Sequence, residues 1–447
     1  MRKLKILQCL VFYLPYRIGG IEVYVHSLNL CLLKKGHDVK VVVPVFPGGD
    51  PYAEEYEGVP VISYAGANNE TKAQFEGDAP AKGLDSFIEI LKKEQPDLVH
   101  FHQFTASNGV SLFHIRAARE LGIAVFYSNH LAGLTCMTGK MVYREKQVCD
   151  GVMRNVRCSV CDLQKFHIKE SLARGIVGTG ATLSTVLPDN PGSKLLLLLT
   201  YSKRIIRKRK RVQALIELVN RFIVLTDWYY EVLKANGFDM RNVTIIRQGL
   251  PLSDAALNQV SVKPSDGRLK LVFIGRIYPD KGLYILLKAL EGVDESLYSL
   301  DIYGQLDDEV YFRNCEALFR HKPNIRYHAF VNGKEIVNTL KQYQVLVLPS
   351  MIAEMAPLVI REAFAAGIPV VGTAIGGIQE AIIDHENGLL FEMGNFLQLK
   401  NIIERLIADS TVLKHLTSKI IPPTIFEKIA DQIEQEYFTV LSSAAKG

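Results

Sequence analysis

The sequence predicts an α/β protein made of two doubly wound parallel-sheet domains. Three observations carry the prediction. Short apolar runs alternate with amphipathic ones through the first 130 residues, the pattern of successive βαβ units. A second alternating series begins at LKLVFIGRI, well beyond the middle of the chain. The strand-like runs of both series are almost continuously hydrophobic, as in a sheet covered on both faces.

In the first series KILQCLVFY reads as a strand, IEVYVHSLNLCLLKKG as a helix closed by Gly36, and VKVVVPV as the next strand. The helix SFIEILKKEQ then leads through Pro96 into the strand DLVHFH, and SLFHIRAARELG leads into IAVFYSNH, which ends at His130. Residues 131–175 break the rhythm with Cys, polar residues and Gly, and read as an insert. Alternation resumes with RFIVLTDWYYEVLKANGF and NVTIIRQGLP; Pro264, Ser265, Asp266 and Gly267 then form a polar linker. The second series has strands SLDIYG, IRYHAF, VLVLPS and PVVGTA, with helices GLYILLKAL and LVIREAFAAG. The expected domains are 1–258 and 268–424, followed by a final helix in 425–447. Open sheets of this kind bind ligands beyond the carboxyl ends of their strands, so two such edges facing each other would enclose a cleft.

Composition narrows the class. A chain of 447 residues is too long for one ordinary domain, and 48% hydrophobic with 22% charged residues is the balance of a soluble globular protein. A diffuse net charge of +5 does not imply a nucleic-acid partner. The basic start MRKLKILQCLVFYLPYRIGG has its apolar run broken by Gln8 and offers no small-residue cleavage site, so it reads as a strand rather than a signal peptide. With no apolar run of about 18 residues, a membrane span is not expected. A cytoplasmic protein with reduced thiols follows as the expectation.

The stretch richest in chemistry is PSMIAEMAPLVIREAFAAGIPVV. Pro357 suits a first helical position, which places Glu354 in the loop at the helix mouth and Glu362 one to two turns inside. Ala356, at the cap position, has no side-chain acceptor, so the first N–H groups stay open for an anion. An ordinary α/β helix ended by Gly367 explains the same residues. In GRIYPDKG, Arg276 and Lys281 flank the end of a strand where an anion could dock, although a basic pair in such a loop is often merely solvated. Gly19 and Gly20 stand between the first strand and first helix, where a backbone can approach a ligand; tight packing accounts for them equally.

Together these stretches resemble the retaining glycosyltransferases of family 4, whose GT-B fold sets two Rossmann-like domains face to face. The resemblance rests on GR-x4-KG, then E-x-x-P-x-x-x-x-EA-x-A-x-G-x-PVV, then GG-x-x-E (Gly376, Gly377, Glu380) and NGLL, in that order. It extends more loosely over the first domain, with Gln248 where the family has Asn and Met355 where small residues are common. The resemblance implies that Arg276 and Lys281 bind the diphosphate of a UDP- or GDP-sugar. It gives Glu362 the ribose hydroxyls and Glu354 the donor sugar. The backbone of Met355, Ala356, Pro357 and Leu358, just after Glu354, would line sugar and phosphate. Gly19 and Gly20 would let the first domain approach the diphosphate, and His130 would contact the sugar near the reacting carbon. The last helix is implied to cross back to the first domain. Cationic side chains take the part of Mg²⁺ in the implied chemistry. A polysaccharide or lipid-linked glycan is the implied acceptor. An idle binding module and a sugar-nucleotide epimerase of similar fold are the rival readings.

Two further features stand apart from this set. Cys136, Cys149, Cys158 and Cys161 fall in a polar insert with no obvious core, which leaves structural zinc, disulfides or unligated thiols as readings, with zinc in the lead. Residues 194–216 follow a leucine block with KRIIRKRKR, seven basic residues among 203–211, of which Arg204, Arg207, Lys208 and Arg211 share a helical face. Such a helix suits an anionic membrane surface, so peripheral attachment to the inner face of the cell membrane is expected; a solvated face is the bland alternative, and specific nucleic-acid binding is not expected.

Overall fold

The structure is a computed structural model, and it describes residues 2–45, 49–66, 71–105, 110–182, 194–251, 267–329 and 333–444. Pro264, Ser265 and Asp266 of the expected linker lie outside them. The chain divides into two compact units, one of residues 1–139, 150–247 and 426–447, the other of residues 140–149 and 248–425.

The strands in chain order are β1 (Lys5–Cys9), β2 (Asp38–Pro44), β3 (Ala53–Tyr56), β4 (Val59–Tyr64), β5 (Leu98–Phe101) and β6 (Ala124–Asn129). A short hairpin of β7 (Val142–Tyr143) and β8 (Gln147–Val148) precedes β9 (Arg221–Val224) and β10 (Val243–Ile245). In the second unit β11 (Leu269–Ile274), β12 (Tyr298–Tyr303), β13 (Ile325–His328), β14 (Val345–Leu348), β15 (Val370–Thr373) and β16 (Gly388–Phe391) follow.

The first unit carries an eight-stranded sheet in the order β10-β9-β6-β5-β1-β2-β4-β3, parallel except for β3 on β4. That pair is joined by Glu57 and Gly58, both at positive φ, which matches a tight hairpin turn to the twist of the strands. The chain moves outward from β1 to β2 and β4, then returns to β5 on the other side. The strand order therefore reverses between β1 and β5, where ligand crevices form in such sheets. The second unit repeats the device in a six-stranded parallel sheet, β13-β12-β11-β14-β15-β16, reversing between β11 and β14.

Each sheet has its own core. In the first unit Leu4, Ile6, Val25 and Leu28 are buried with Phe426, Ile429, Ile433 and Tyr437 of the last helix, Phe426–Ala444. Glu434 of that helix takes Lys35 Nζ at 2.6 Å and His37 Nε2 at 2.7 Å, so apolar and polar contacts fix the same helix. In the second unit Leu271, Phe273, Leu286, Leu300 and Val347 form the core. No helix among the described residues is long and apolar enough to cross a membrane.

The cysteine-rich insert is held differently from the expectation. Among the described residues no group of three or more His, Cys, Asp or Glu side chains is arranged to hold a metal, and Cys136, Cys149, Cys158 and Cys161 form no disulfide. The expected four-thiolate zinc site is not seen among the described residues. Other contacts do its work. Val160, Leu163, Ala173, Val177 and Tyr201 make a small apolar core of their own. The Asn236 side chain accepts from Met153 N–H at 2.8 Å and donates to the Gly151 carbonyl at 3.0 Å. The Lys208 ammonium donates to the carbonyls of Gly133 and Cys136 at 2.9 and 2.8 Å.

The same contact qualifies the basic helix, Tyr201–Leu218. Ile205, Val212, Leu215 and Ile216 are buried along it. Arg207 lies 3.7 Å from Glu76 and 3.4 Å from Asp78, Arg211 pairs with Asp78, and Arg209 donates to the Asn236 carbonyl. Arg207, Lys208, Arg209 and Arg211 each contact other parts of the first unit while staying partly or fully exposed, so much of the basic face expected to meet a membrane is engaged in tertiary contacts.

Candidate functional site

In the second unit the loops after β11 and β14 meet at the reversal of strand order. After β11 the chain turns through Gly275 and Arg276 into the short turn Pro279–Lys281 and then Gly282. Gly282 has φ of +72°, and a Cβ there would lie 1.8 Å from the Pro349 carbonyl oxygen, so only glycine lets this turn lie against the end of β14. Met351 N–H donates to the Asp280 carbonyl at 2.8 Å, tying the two loops together.

The turn delivers Lys281 to Glu354. Lys281 Nζ lies 2.9 Å from Glu354 Oε2, with both side chains mostly buried, and the Ser350 hydroxyl donates to Glu354 Oε1. Burial pushes the Glu354 carboxyl up, but Lys281, Ser350 and Arg276 together outweigh it and hold the group below its ordinary range. Arg276 is the more exposed cation and pairs with Asp307 at 2.8 Å. Lys281 with Glu354 and Arg276 with Asp307 make two cation–carboxylate pairs at this end of the sheet, and the N–H groups of both cations can turn to an incoming anion.

The helix after this loop runs Leu358–Ala365, with Pro357 as its N-cap. The expected start at Pro357 is therefore early by one residue: its ψ of 119° is extended, while its fixed φ of −65° suits either position. No side chain caps the helix, so its leading N–H groups and the positive end of its dipole face the loop that carries Glu354. Met355 is buried, and Ala356 is partly exposed. Glu362 lies within the helix, and desolvation pushes its carboxyl up to about 7.

Three backbone bonds hold the loop. Ala353 N–H donates to the Lys140 carbonyl at 2.9 Å, and Gly377 N–H to the Glu354 carbonyl at 2.8 Å, beside the Met351 bond. A Cβ on Gly377 would fall 1.9 Å from the Met355 carbonyl oxygen, so the Gly-Gly after β15 exists for close backbone approach. Lys140 also reaches Asp280 and Glu145, each at 2.9 Å, which brings the hairpin of β7 and β8 to the loop that presents Lys281.

The first unit holds Gly19, Gly20 and His130. Gly19 caps the helix Gly20–Lys34 without a side chain, and a Cβ on Gly20 would meet nothing within 4 Å, so packing does not explain that glycine. His130 follows β6 and is buried; its Nε2 lies 3.1 Å from His102 Nδ1, and the Tyr24 ring meets its edge at 4.7 Å. Burial pushes its imidazole down to about 3, so the ring is neutral at physiological pH.

The structure thus brings Arg276, Lys281 and Glu354 together, with Met355, Ala356, Pro357 and Leu358 beside them and Glu362 along the helix. Sequence reasoning missed Ser350, Asp307, Lys140 and His102. Ser350 directly follows the strand-ending VLVLP, and His102 ends HFH, two places where a polar residue at a strand's carboxyl end was the available signal.

Comparison with known proteins bears on the family and the fold. Residues 256–420 match the family model "Glycosyl transferases group 1", and residues 18–158 match "Glycosyltransferase Family 4". D-inositol 3-phosphate glycosyltransferase of Xylanimonas cellulosilytica is 28% identical over 195 residues, 40% of this chain and 46% of that protein. The chain therefore spans less than half the length of that relative. Sucrose-phosphate synthase of Thermosynechococcus elongatus superposes with a TM-score of 0.68 at 19% identity, covering 99% of this chain and 100% of that one. Anabaena Alr3699/HepE, solved with UDP and glucose, superposes with a TM-score of 0.62 at 14% identity over 97% and 99% of the two chains. These likenesses show a GT-B fold of two Rossmann-like units. The two matched models together take in both units, and the chain belongs to the glycosyl transferases of group 1, glycosyltransferase family 4.

Proposed function

We propose that the protein is a retaining glycosyltransferase that moves a sugar from a UDP- or GDP-sugar to a polysaccharide or lipid-linked glycan. The observation that carries the reading is the Lys281–Glu354 ion pair at the strand-order reversal, beside an uncapped helix N-terminus. Cleaving the bond between sugar and diphosphate builds positive charge on the anomeric carbon and negative charge on the leaving oxygen. Lys281, Arg276 and the helix N-terminus stabilise the leaving diphosphate where that charge grows. These cations supply what a divalent ion supplies to other transferases. Glu354 holds Lys281 in place and offers its carboxylate to the donor sugar; Glu362 takes the ribose hydroxyls. The acceptor hydroxyl attacks from the face the diphosphate leaves, and the departing phosphate oxygen takes its proton, so the configuration is retained. Gly19 and Gly20 leave room for the diphosphate, and His130 contacts the sugar.

The UDP of Anabaena Alr3699/HepE supports a nucleotide-sugar donor. Lipid-linked acceptors and membrane contact through residues 194–216 form the outer part of the proposal, carried by the exposed Lys210 and by Arg204.

Turnover of UDP-, GDP- and ADP-sugars, with and without acceptor glycans, tests the reading. We expect one donor class to be used, and Lys281→Ala to lower kcat of the folded protein about 100-fold or more, as loss of a transition-state donor does elsewhere, with some loss of thermal stability because Glu354 stays buried without its ammonium. Turnover equal to wild type in that variant would remove the assignment.

A further inference from the structure

We infer that His102 is a positioning residue for the transfer reaction: together with Gln8 it holds the His130 imidazole in one orientation and one tautomer. The inference rests on the reading of His130 as a donor-sugar contact. It begins with register. Strands β1, β5 and β6 are neighbours, with Gln8 opposite His100 and His100 opposite Phe126. Side chains two apart share a face of a strand, so Gln8, His100, His102, Ser128 and His130 project to the same side of three adjacent strands.

The contacts then run laterally across the strand ends. His102 Nε2 lies 2.7 Å from Gln8 Oε1, and His102 Nδ1 lies 3.1 Å from His130 Nε2. His100 packs against His102 with ring centroids 4.1 Å apart, and is itself tied to Tyr437 Oη at 2.7 Å and Ser128 Oγ at 2.8 Å. The His102 ring is thus held by a hydrogen bond on each nitrogen and a neighbour over its plane.

Chemistry sets the direction of the chain. An amide oxygen only accepts, so His102 Nε2 carries the proton that meets Gln8. Burial holds the imidazoles of His100, His102 and His130 well below their ordinary range, so each ring is neutral and has one N–H. His102 Nδ1 is then an acceptor, and His130 Nε2–H donates to it. That leaves His130 Nδ1 without a proton, ready to accept from a substrate hydroxyl. His130 is also the ring nearest the surface, 9% exposed against 0% for His100 and 1% for His102.

The test uses the full chain and three substitutions. His102→Leu keeps apolar volume and removes the acceptor; His102→Asn restores an acceptor oxygen near the Nδ1 position; His130→Ala removes the ring that is being positioned. We expect His102→Leu to lower kcat about 100-fold with donor KM changed less than about threefold, the signature of misplacement in the transition state. His102→Asn should recover most of that loss. In the wild type, ¹⁵N shifts of the His130 ring should report the Nε2–H tautomer, a readout that survives even if His102→Leu folds poorly. Wild-type kcat in His102→Leu, no recovery in His102→Asn, or an Nδ1–H tautomer would each overturn the positioning role. If His130→Ala turns over like wild type, the reading of His130 itself fails; if His130→Ala is crippled while His102→Leu is not, only the positioning role fails.

Discussion

Glu354 and Glu362 show how burial can be given opposite outcomes within one loop and helix. Both lose hydration. Glu354 gains Lys281, Ser350 and Arg276, and remains ionised; for Glu362 burial is the only cause, and its carboxyl rises from an ordinary 4.5 to about 7. The sign of the consequence follows from linkage. A carboxyl with a raised pKa binds its proton more tightly in the folded than in the unfolded protein, so its contribution is complete below the ordinary value and is lost as pH climbs through about 7. Glu362→Gln keeps the shape and removes the charge. We expect the variant to gain roughly 3 kcal/mol over wild type at pH 8 and under about 1 kcal/mol at pH 5, read from urea unfolding at the two pH values. The same variant should bind the donor nucleotide more weakly, because an amide accepts less strongly from ribose hydroxyls than a carboxylate. A pH-independent difference would show that Glu362 stays hydrated.

At the scale of elements, what could be read in advance divides along physical lines. Strands such as VKVVVPV and VLVLPS were legible because burial on both faces demands continuous apolar runs, and the helices between them because one face must be apolar. The exact start of the Leu358–Ala365 helix was not, since the φ of Pro357 fits a cap as well as a first turn. Lys281 and Glu354 were legible as a motif, yet their pairing depends on two loops meeting across 73 residues of chain. In the insert the four cysteines stand out in composition, whereas Asn236 and Lys208, which secure it, come from far along the chain and were not legible. The basic helix misled for the same reason: Glu76 and Asp78 lie more than a hundred residues before Arg207 and Arg211. That division yields a prediction. Arg207→Ala with Arg211→Ala removes partly exposed ion pairs and should cost stability by about 1 kcal/mol or less per pair while leaving adsorption to vesicles unchanged. Arg204→Ala with Lys210→Ala should weaken adsorption to phosphatidylserine vesicles at low salt, at about 1 kcal/mol per cation, with stability preserved. Equal binding by all of these proteins, or none by the wild type, would remove membrane contact through this helix.

For the whole molecule, the notable fact is that the first unit is discontinuous. Its sheet is made from the first 247 residues, but its core is closed by a helix that begins at Phe426. Tyr437 is fully buried there, with its ring edge-on to Phe126 at 4.8 Å and its hydroxyl on His100 Nδ1 at 2.7 Å. The N-terminal unit therefore completes its core only after the second unit's residues 248–425 have been made. Tyr437→Ala opens a cavity of aromatic size and leaves a buried imidazole nitrogen unpaired, two costs that add to about 4 kcal/mol or more, a large part of a domain's net stability. The damage belongs to the unit that owns the helix. Hydrogen exchange followed by mass spectrometry should show faster exchange across β1, β5 and β6 in the variant, while β11, β14 and β15 keep wild-type protection. Nucleotide titration should still detect donor binding through Lys281 and Arg276, whereas transfer falls because His100, and through it the His102–His130 chain, has lost its support. Uniform loss of protection in both sheets would mean that the two units unfold as one, and that the last helix stabilises the entire chain rather than the unit whose core it closes.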